Sequence, residues 1–170
     1  AAFFMGLYFF ISGYFVPGSY DRQGFGTFVR KKILRLGVPL LLMGGLLTYA
    51  TGKVEIAHMW FVESLLIFSF FYAVVRKRCP AISKDCNSRP TLTGLFIAAL
   101  VMGIGSFFIR QVSPQDNWIS LSLWIFEPAH YLQYVMMFVL GILAYRCCWL
   151  DKMTNTTGVV SLVIGGLLAI

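Results

Sequence analysis

Six apolar runs, separated by links whose basic content alternates, restrict this chain to few architectures. The runs are Ala1–Val16, Leu36–Tyr49, His58–Val75, Leu92–Ile109, Tyr131–Tyr145 and one beginning near Gly158. The links between them carry charge, Pro, Asn or Ser, residues that mark exits from an apolar phase. Apolar stretches of this kind suit helices in lipid, where a span takes about 20 residues. Several runs fall short of that, so flanking aromatics and long basic side chains must complete the crossing. The fold expected is all-α: a polytopic integral membrane helix bundle of about six transmembrane segments, the first and last truncated. Composition supports the class, at 58% hydrophobic and 12% charged residues with mean hydropathy +0.76, outside the range of ordinary soluble domains.

Basic residues give the orientation. Arg22, Arg30, Lys31, Lys32 and Arg35 lie between the first two runs, and only Lys53 between the second and third. Arg76, Lys77, Arg78, Lys84 and Arg89 follow the third run, Arg110 alone follows the fourth, and Arg146 and Lys152 follow the fifth. By the positive-inside rule the links 18–35, 76–91 and 146–157 are cytoplasmic, in a multi-pass protein of the plasma or inner membrane. The first run then enters from outside, so a cytoplasmic N-terminus requires an odd number of spans, most simply one, upstream of Ala1. The net charge of +7 reflects this loop bias, and nucleic acid is not an expected partner. The four cysteines, Cys79, Cys86, Cys147 and Cys148, form no CxxC pair and have no neighbouring histidine. At cytoplasmic ends they are expected as reduced thiols, with no metal site. The pairs Gly44/Gly45 and Gly165/Gly166 are expected to allow close helix contact.

Ionisable residues inside such runs are costly, about 2.5–3.5 kcal/mol on insertion scales, and face a bundle interior or a watery cavity. The stretch HMWFVESLLIF, His58 to Phe68, carries two. Trp60 and Glu63, three apart, share a helical face, whereas His58 points well away from Glu63. The second histidine, His130, lies in WIFEPAHYLQY beside Glu127, with Asp116, Trp118 and Trp124 near in sequence. On the deduced topology these groups gather at the external side, where rings and carboxylates suit a polar ligand such as a sugar. Interfacial belts also use Trp, and helix ends also use His as a solvated cap. On the opposite side, TFVRKKILRLGVPLLL sets Arg30, Lys31, Lys32 and Arg35 just before a membrane entry, with Lys32 and Arg35 on one face. Anchoring on anionic lipid explains this cluster, and so does a phosphate site for a cytosolic acyl donor.

Three blocks then narrow the reading. FFISGYFVPGSYDRQGFGTFVRKKILRLGVPLLL, HMWFVESLLIFSFFYAVVR and QYVMMFVLGILAYRCCWLDKM occur in that order over nearly the whole chain. Together they resemble the membrane-bound acyltransferase 3 family, in the branch of glucan-modifying acyltransferases, so that residues 1–170 form a partial acyltransferase 3 transmembrane domain. The resemblance implies an enzyme of about ten helices that moves an acyl group, acetyl, succinyl or similar, from cytosolic acyl-CoA to a hydroxyl of an extracytoplasmic glycan or related acceptor. It implies no cofactor beyond acyl-CoA as co-substrate, and membrane lipid as the surrounding partner. The family's paired-basic RxxR motif falls on Lys32 and Arg35, the donor-binding candidates; lysine keeps the charge of the first arginine but loses its planar fork. Ser12 and Gly13 match an FxxSG-like signature, and His58, Trp60 and Phe61 an HLWF block. The family's general base is a His about ten residues after an Arg or Lys on its first helix, expected upstream of Ala1, so no catalytic residue is assigned within the fragment. The fragment alone is expected to be inactive.

The acceptor-side candidates are His58, Trp60, Glu63 and His130. His58 is expected roughly 25–30 Å from the basic cluster, across the bilayer core. The alternative function is a transporter or exporter in which Glu63 carries a proton or substrate, although the internal repeats and broken helices of such proteins are not evident. A scaffold subunit leaves the intramembrane charge without a purpose.

Overall fold

The computed structural model describes residues 2–51, 60–79, 91–112, 119–121, 124–126 and 128–152. Helix dominates: α1 (Ala2–Lys32), a π turn (Ile33–Gly37), α2 (Val38–Thr51), α3 (Trp60–Arg78), α4 (Leu92–Val112), α5 (Pro128–Arg146) and the short α6 (Trp149–Lys152). The expected runs 36–49, 58–75, 92–109 and 131–145 thus fall on α2, α3, α4 and α5, while the run beginning near Gly158 lies outside the described residues. One departure from all-α is a small hairpin between α4 and α5. Its strands β1 (Ile119–Leu121) and β2 (Trp124–Phe126) pair antiparallel with Ile119 opposite Phe126 and Leu121 opposite Trp124. Their branched and aromatic residues favour a pleated strand.

Helices α1, α3 and α5 run side by side in one direction. Near their N-terminal ends the Phe9 ring of α1 lies 5.1 Å from Phe61, 5.4 Å from Phe68 and 4.8 Å from Tyr134. At their C-terminal ends Asp21 of α1 meets Arg76 of α3 and Arg146 of α5. A parallel trio demands that the chain return between members, as the alternation of basic links predicts. Phe9, Val16, Phe28, Tyr72, Ala73, Tyr134 and Phe138 form the buried core of this arrangement.

Glycine allows the closest approach. A Cβ on Gly13 would fall on the Phe138 carbonyl oxygen of α5, and one on Gly141 would fall on the Phe10 carbonyl oxygen of α1. The two backbones therefore touch, as small residues permit in lipid-embedded bundles. Pro17, buried in α1, lacks the N–H that would bond the Gly13 carbonyl. The expectation for Gly44/Gly45 needs correction. Gly44 is buried, but a Cβ on Gly45 would meet nothing within 4 Å, so only the first of the pair sits at a contact.

The stretch 18–35, expected as a loop, is helical on both sides of one residue. Gly24 has φ 70° and ψ 172°, a backbone region essentially reserved for glycine, and the chain turns there. Beyond this elbow Phe25, Phe28, Val29, Lys32 and Ile33 recur at helical spacing, and this stripe packs on α3. Phe25 lies beside Lys77 and the Ile33 side chain beside Leu66 and Ile67, so this limb climbs back along α3 and continues through the π turn into α2. The charges of DRQGFGTFVRKK conceal that stripe when the sequence alone is read.

Outward faces remain apolar. Leu41 is 75% exposed, and on α4 Phe96 and Phe108 are 68% and 64% exposed, a surface far too greasy for water. Among the described residues one helix, Thr93–Gln111, is long and apolar enough by itself to cross a membrane, at 19 residues and hydropathy 1.8.

Candidate functional site

Two polar regions lie at opposite ends of the trio. At the C-terminal ends, Arg146 donates from Nη1 to Asp21 Oδ2 at 2.7 Å and from Nη2 to Asp21 Oδ1 at 3.2 Å. The same Nη2 donates to the Tyr72 hydroxyl at 2.6 Å. Arg76 Nε completes the group 3.7 Å from Asp21 Oδ1. Bidentate arginine–carboxylate pairing is the strongest and most directional ion pair available to side chains. It is used here on a guanidinium only 5% exposed, where an unpaired charge would be very costly. Neither Asp21 nor Arg146 was a candidate on sequence grounds. Their separation of 125 positions leaves no local pattern, and an aspartate inside a basic link is the one signal available.

The donor candidates Lys32 and Arg35 converge, together with Ser19, Gln23, Phe28 and Lys31, on a nook of about 30 Å³. Among the described residues no acidic side chain lines it, so these residues form a cationic concavity. Lys32 and Phe28 are shared with a larger apolar cleft of about 250 Å³, otherwise walled by Val29, Ile33, Leu66, Ile67 and Phe70. The Lys32 ammonium sits 5.8 Å from the Phe28 ring centroid, and that of Lys77 sits 4.7 Å from Phe25, cation–π contacts that hold the ascending limb.

Leu66 to Phe70 occupy the middle of α3, about 12–18 Å above Arg78 at 1.5 Å per residue. Lys32 therefore connects a nook whose Ser19 and Gln23 flank Asp21 at the foot of the trio with a cleft beside the middle of α3. Trp60, at the start of α3, is about 9–15 Å along the helix from the cleft, and Glu63 is about 5 Å from its upper edge. The elbow at Gly24 has carried the cations toward the polar residues of the other end.

At that other end the structure joins three of the four acceptor-side candidates; His58 lies outside the described residues, as do Asp116, Trp118 and Glu127. The Trp60 ring is 5.5 Å from Tyr134, and His130 stacks on the same Tyr134 at 6.4 Å with an interplanar angle of 23°. Arg110 Nη2 lies 3.4 Å from His130 Nε2, a donor geometry that requires the ring proton on Nδ1. Glu63 follows Trp60 by one turn and has a buried Oε2 with no hydrogen-bond partner among the described residues. Trp124 lies on β2.

The cysteines divide. Cys79 and Cys147 are free thiols, in line with expectation, whereas Cys148 is disulfide-bonded, which overturns the reduced reading for that residue. Sequence spacing cannot register the spatial meeting that allows a disulfide. Cys148 ends α5 with φ 53°, in the left-handed region, its N–H bonding the Tyr145 carbonyl at 3.3 Å. Cys86 lies outside the described residues.

Comparison with known proteins supplies the remaining context. Proteins named Glucans biosynthesis protein C are similar to this chain. Those of Escherichia coli strains SMS-3-5 / SECEC and SE11 are each 27% identical over 177 residues, covering 85% of this chain and 46% of the relative. The chain thus spans about half the length of the curated relatives it matches. No solved structure matches. The acyltransferase domain family, acyltransferase 3, matches residues 1–170 throughout, and its members are membrane proteins. A single family match from Ala1 to Ile170, over a parallel helix trio with a cationic nook on its flank, means that this chain belongs to the acyltransferase 3 family.

Proposed function

We propose that the whole protein is a multi-pass O-acyltransferase of the plasma or inner membrane, taking an acyl group from cytosolic acyl-CoA and passing it to a hydroxyl on an extracytoplasmic glycan or related acceptor. The observation that carries this reading is the nook of Ser19, Gln23, Lys31, Lys32 and Arg35, cationic and without a carboxylate among the described residues, which shares Lys32 with an apolar cleft. Phosphates of the donor are held by Lys32 and Arg35, and charge-assisted hydrogen bonds make that grip strong. The less polar remainder of the donor follows the cleft toward Glu63. Trp60 and His130, both packed against the core ring of Tyr134, border the acceptor, and Glu63 accepts a hydrogen bond from an acceptor hydroxyl. His58, adjacent in sequence to this group, is assigned to the same acceptor side.

In the reaction the acceptor oxygen attacks the thioester carbonyl, its proton passes to a base, and the carbon–sulfur bond breaks to release CoA thiolate. The base must stand within about 3 Å of that hydroxyl. It is assigned to no residue among these 170; in the family pattern it is a histidine on the first helix. The name of the relatives, with its reference to glucans, supports a glycan acceptor. The apolar cleft ends about 5 Å along α3 from Glu63, which also supports direct transfer from a donor lying in it.

The test is a labelled-donor assay on the complete protein with isolated cell-envelope glycans. Ester gain by the glycan is expected from wild type, with a donor KM raised about 10-fold by Arg35→Ala, the loss of one charge-assisted phosphate contact. Normal donor saturation in a Lys32→Ala, Arg35→Ala double variant would remove both residues from the donor site. Residues 1–170 alone are expected to give no turnover.

A further inference from the structure

We infer that Asp21, Arg146 and Tyr72 are positioning residues that set the angle of the ascending limb and so place Lys32 and Arg35; the inference rests on the donor reading above. Asp21 lies three residues before the Gly24 elbow. A Cβ at Gly24 would meet nothing within 4 Å, so no packing at the elbow itself fixes the turn. Its direction must come from contacts on either side, and these form a continuous series. Arg146 grips Asp21 and bonds the Tyr72 hydroxyl at 2.6 Å. The Tyr72 ring meets Tyr20 edge-on at 5.9 Å, and Tyr20 meets Phe28 edge-on at 5.5 Å across the elbow. Phe28 in turn faces the Lys32 ammonium at 5.8 Å and lines the nook that holds Arg35.

Each link in this series is directional. A bidentate ion pair fixes a carboxylate plane, and edge-to-face rings fix one another's orientation. Loss of the Asp21 carboxylate frees Arg146 and Tyr72, and through the rings the tilt of the limb. Moving a cation out of hydrogen-bond reach of its phosphate forfeits a charge-assisted contact, so a small change of tilt is readable as weaker donor binding. A purely structural clasp lowers yield and melting temperature without moving the limb in the molecules that do fold.

The experiment uses the complete protein with ketone amino acids at Leu34 and Arg78 carrying spin labels, which leaves every cysteine untouched. Leu34, on the limb, is 53% exposed, and Arg78 ends α3. A narrow distance distribution is expected in wild type and in Asp21→Glu, and a broadened or shifted one in Asp21→Asn. Donor KM is expected to rise about 10-fold in Asp21→Asn and about 3-fold in Tyr72→Phe, with kcat within about 2-fold of wild type. Tyr72→Phe keeps the ion pair, so it reports the same displacement at smaller amplitude should Asp21→Asn not yield folded protein. A wild-type distance distribution in whichever of these variants is folded overturns the inference. A displaced limb with unchanged donor KM leaves the inference standing and instead refutes the donor role of Lys32 and Arg35.

Discussion

The two ends of the α1–α3–α5 trio treat charge in opposite ways. At the C-terminal end the charges are paired from within: one carboxylate, Asp21, is shared between Arg146 and Arg76, and the Tyr72 hydroxyl accepts another guanidinium N–H, while Arg146 Nε alone of that guanidinium has no hydrogen-bond partner among the described residues. At the N-terminal end Glu63 has a buried oxygen with no hydrogen-bond partner among the described residues, next to exposed edges of stacked rings. The first arrangement ties three helices together, and the second leaves a carboxylate oxygen unbonded among the described residues. Burial alone does not separate structural from functional charge; what matters is whether the surrounding helices satisfy it.

Replacements at the two ends test that contrast. The largest effect is expected from Arg146→Met, which strands Asp21 and Tyr72. Removing one partner of a buried pair costs about 3–5 kcal/mol, and the third of the Asp21 side chain that remains in solvent places this one near 3 kcal/mol. Thermal unfolding of the purified protein in detergent measures it, and a change under about 1 kcal/mol would erase the distinction between the ends. Next comes Gly141→Ala, midway between them, whose added methyl has only the Phe10 carbonyl to occupy; about 1–3 kcal/mol of overpacking is expected in the same measurement.

Glu63→Gln should behave in the opposite sense to Arg146→Met. Stability is expected to hold within about 1 kcal/mol, while kcat/KM for the acceptor falls about 10- to 100-fold, the worth of a hydrogen bond to a charged group. Unchanged acceptor transfer would move Glu63 to the structural side of the comparison. Trp60→Leu is milder, about 2- to 10-fold in acceptor KM, because a ring stack contributes about 0.5–1.5 kcal/mol beyond the area it covers. The smallest effect is Gly45→Ala, with open space around the new methyl, expected to stabilise α2 by up to about 1 kcal/mol.

What the sequence discloses follows from the range of the forces involved. Apolar runs and the alternation of basic links are local signals, and they yield four of the observed helices and the common direction of α1, α3 and α5. The pairing of Trp60 with His130 through Tyr134 is longer in range, and it was approached only by placing both histidine neighbourhoods on one side of the membrane. The elbow at Gly24 was missed because the charges of residues 21–35 read as solvent-exposed, although Phe25, Phe28 and Val29 already mark a buried face. The Asp21–Arg146 pair and the Cys148 disulfide depend on spatial encounters that no local periodicity encodes.

The span of 125 positions between Asp21 and Arg146 has a consequence for biogenesis. During translation α1 is complete long before its strongest partner leaves the ribosome, so for most of synthesis the Asp21 carboxylate has at best Arg76 for company. The trio therefore closes late, once α5 has been made. A nascent chain stalled before Arg146 should expose its first helix to proteases and quality-control factors that the finished bundle shuts out.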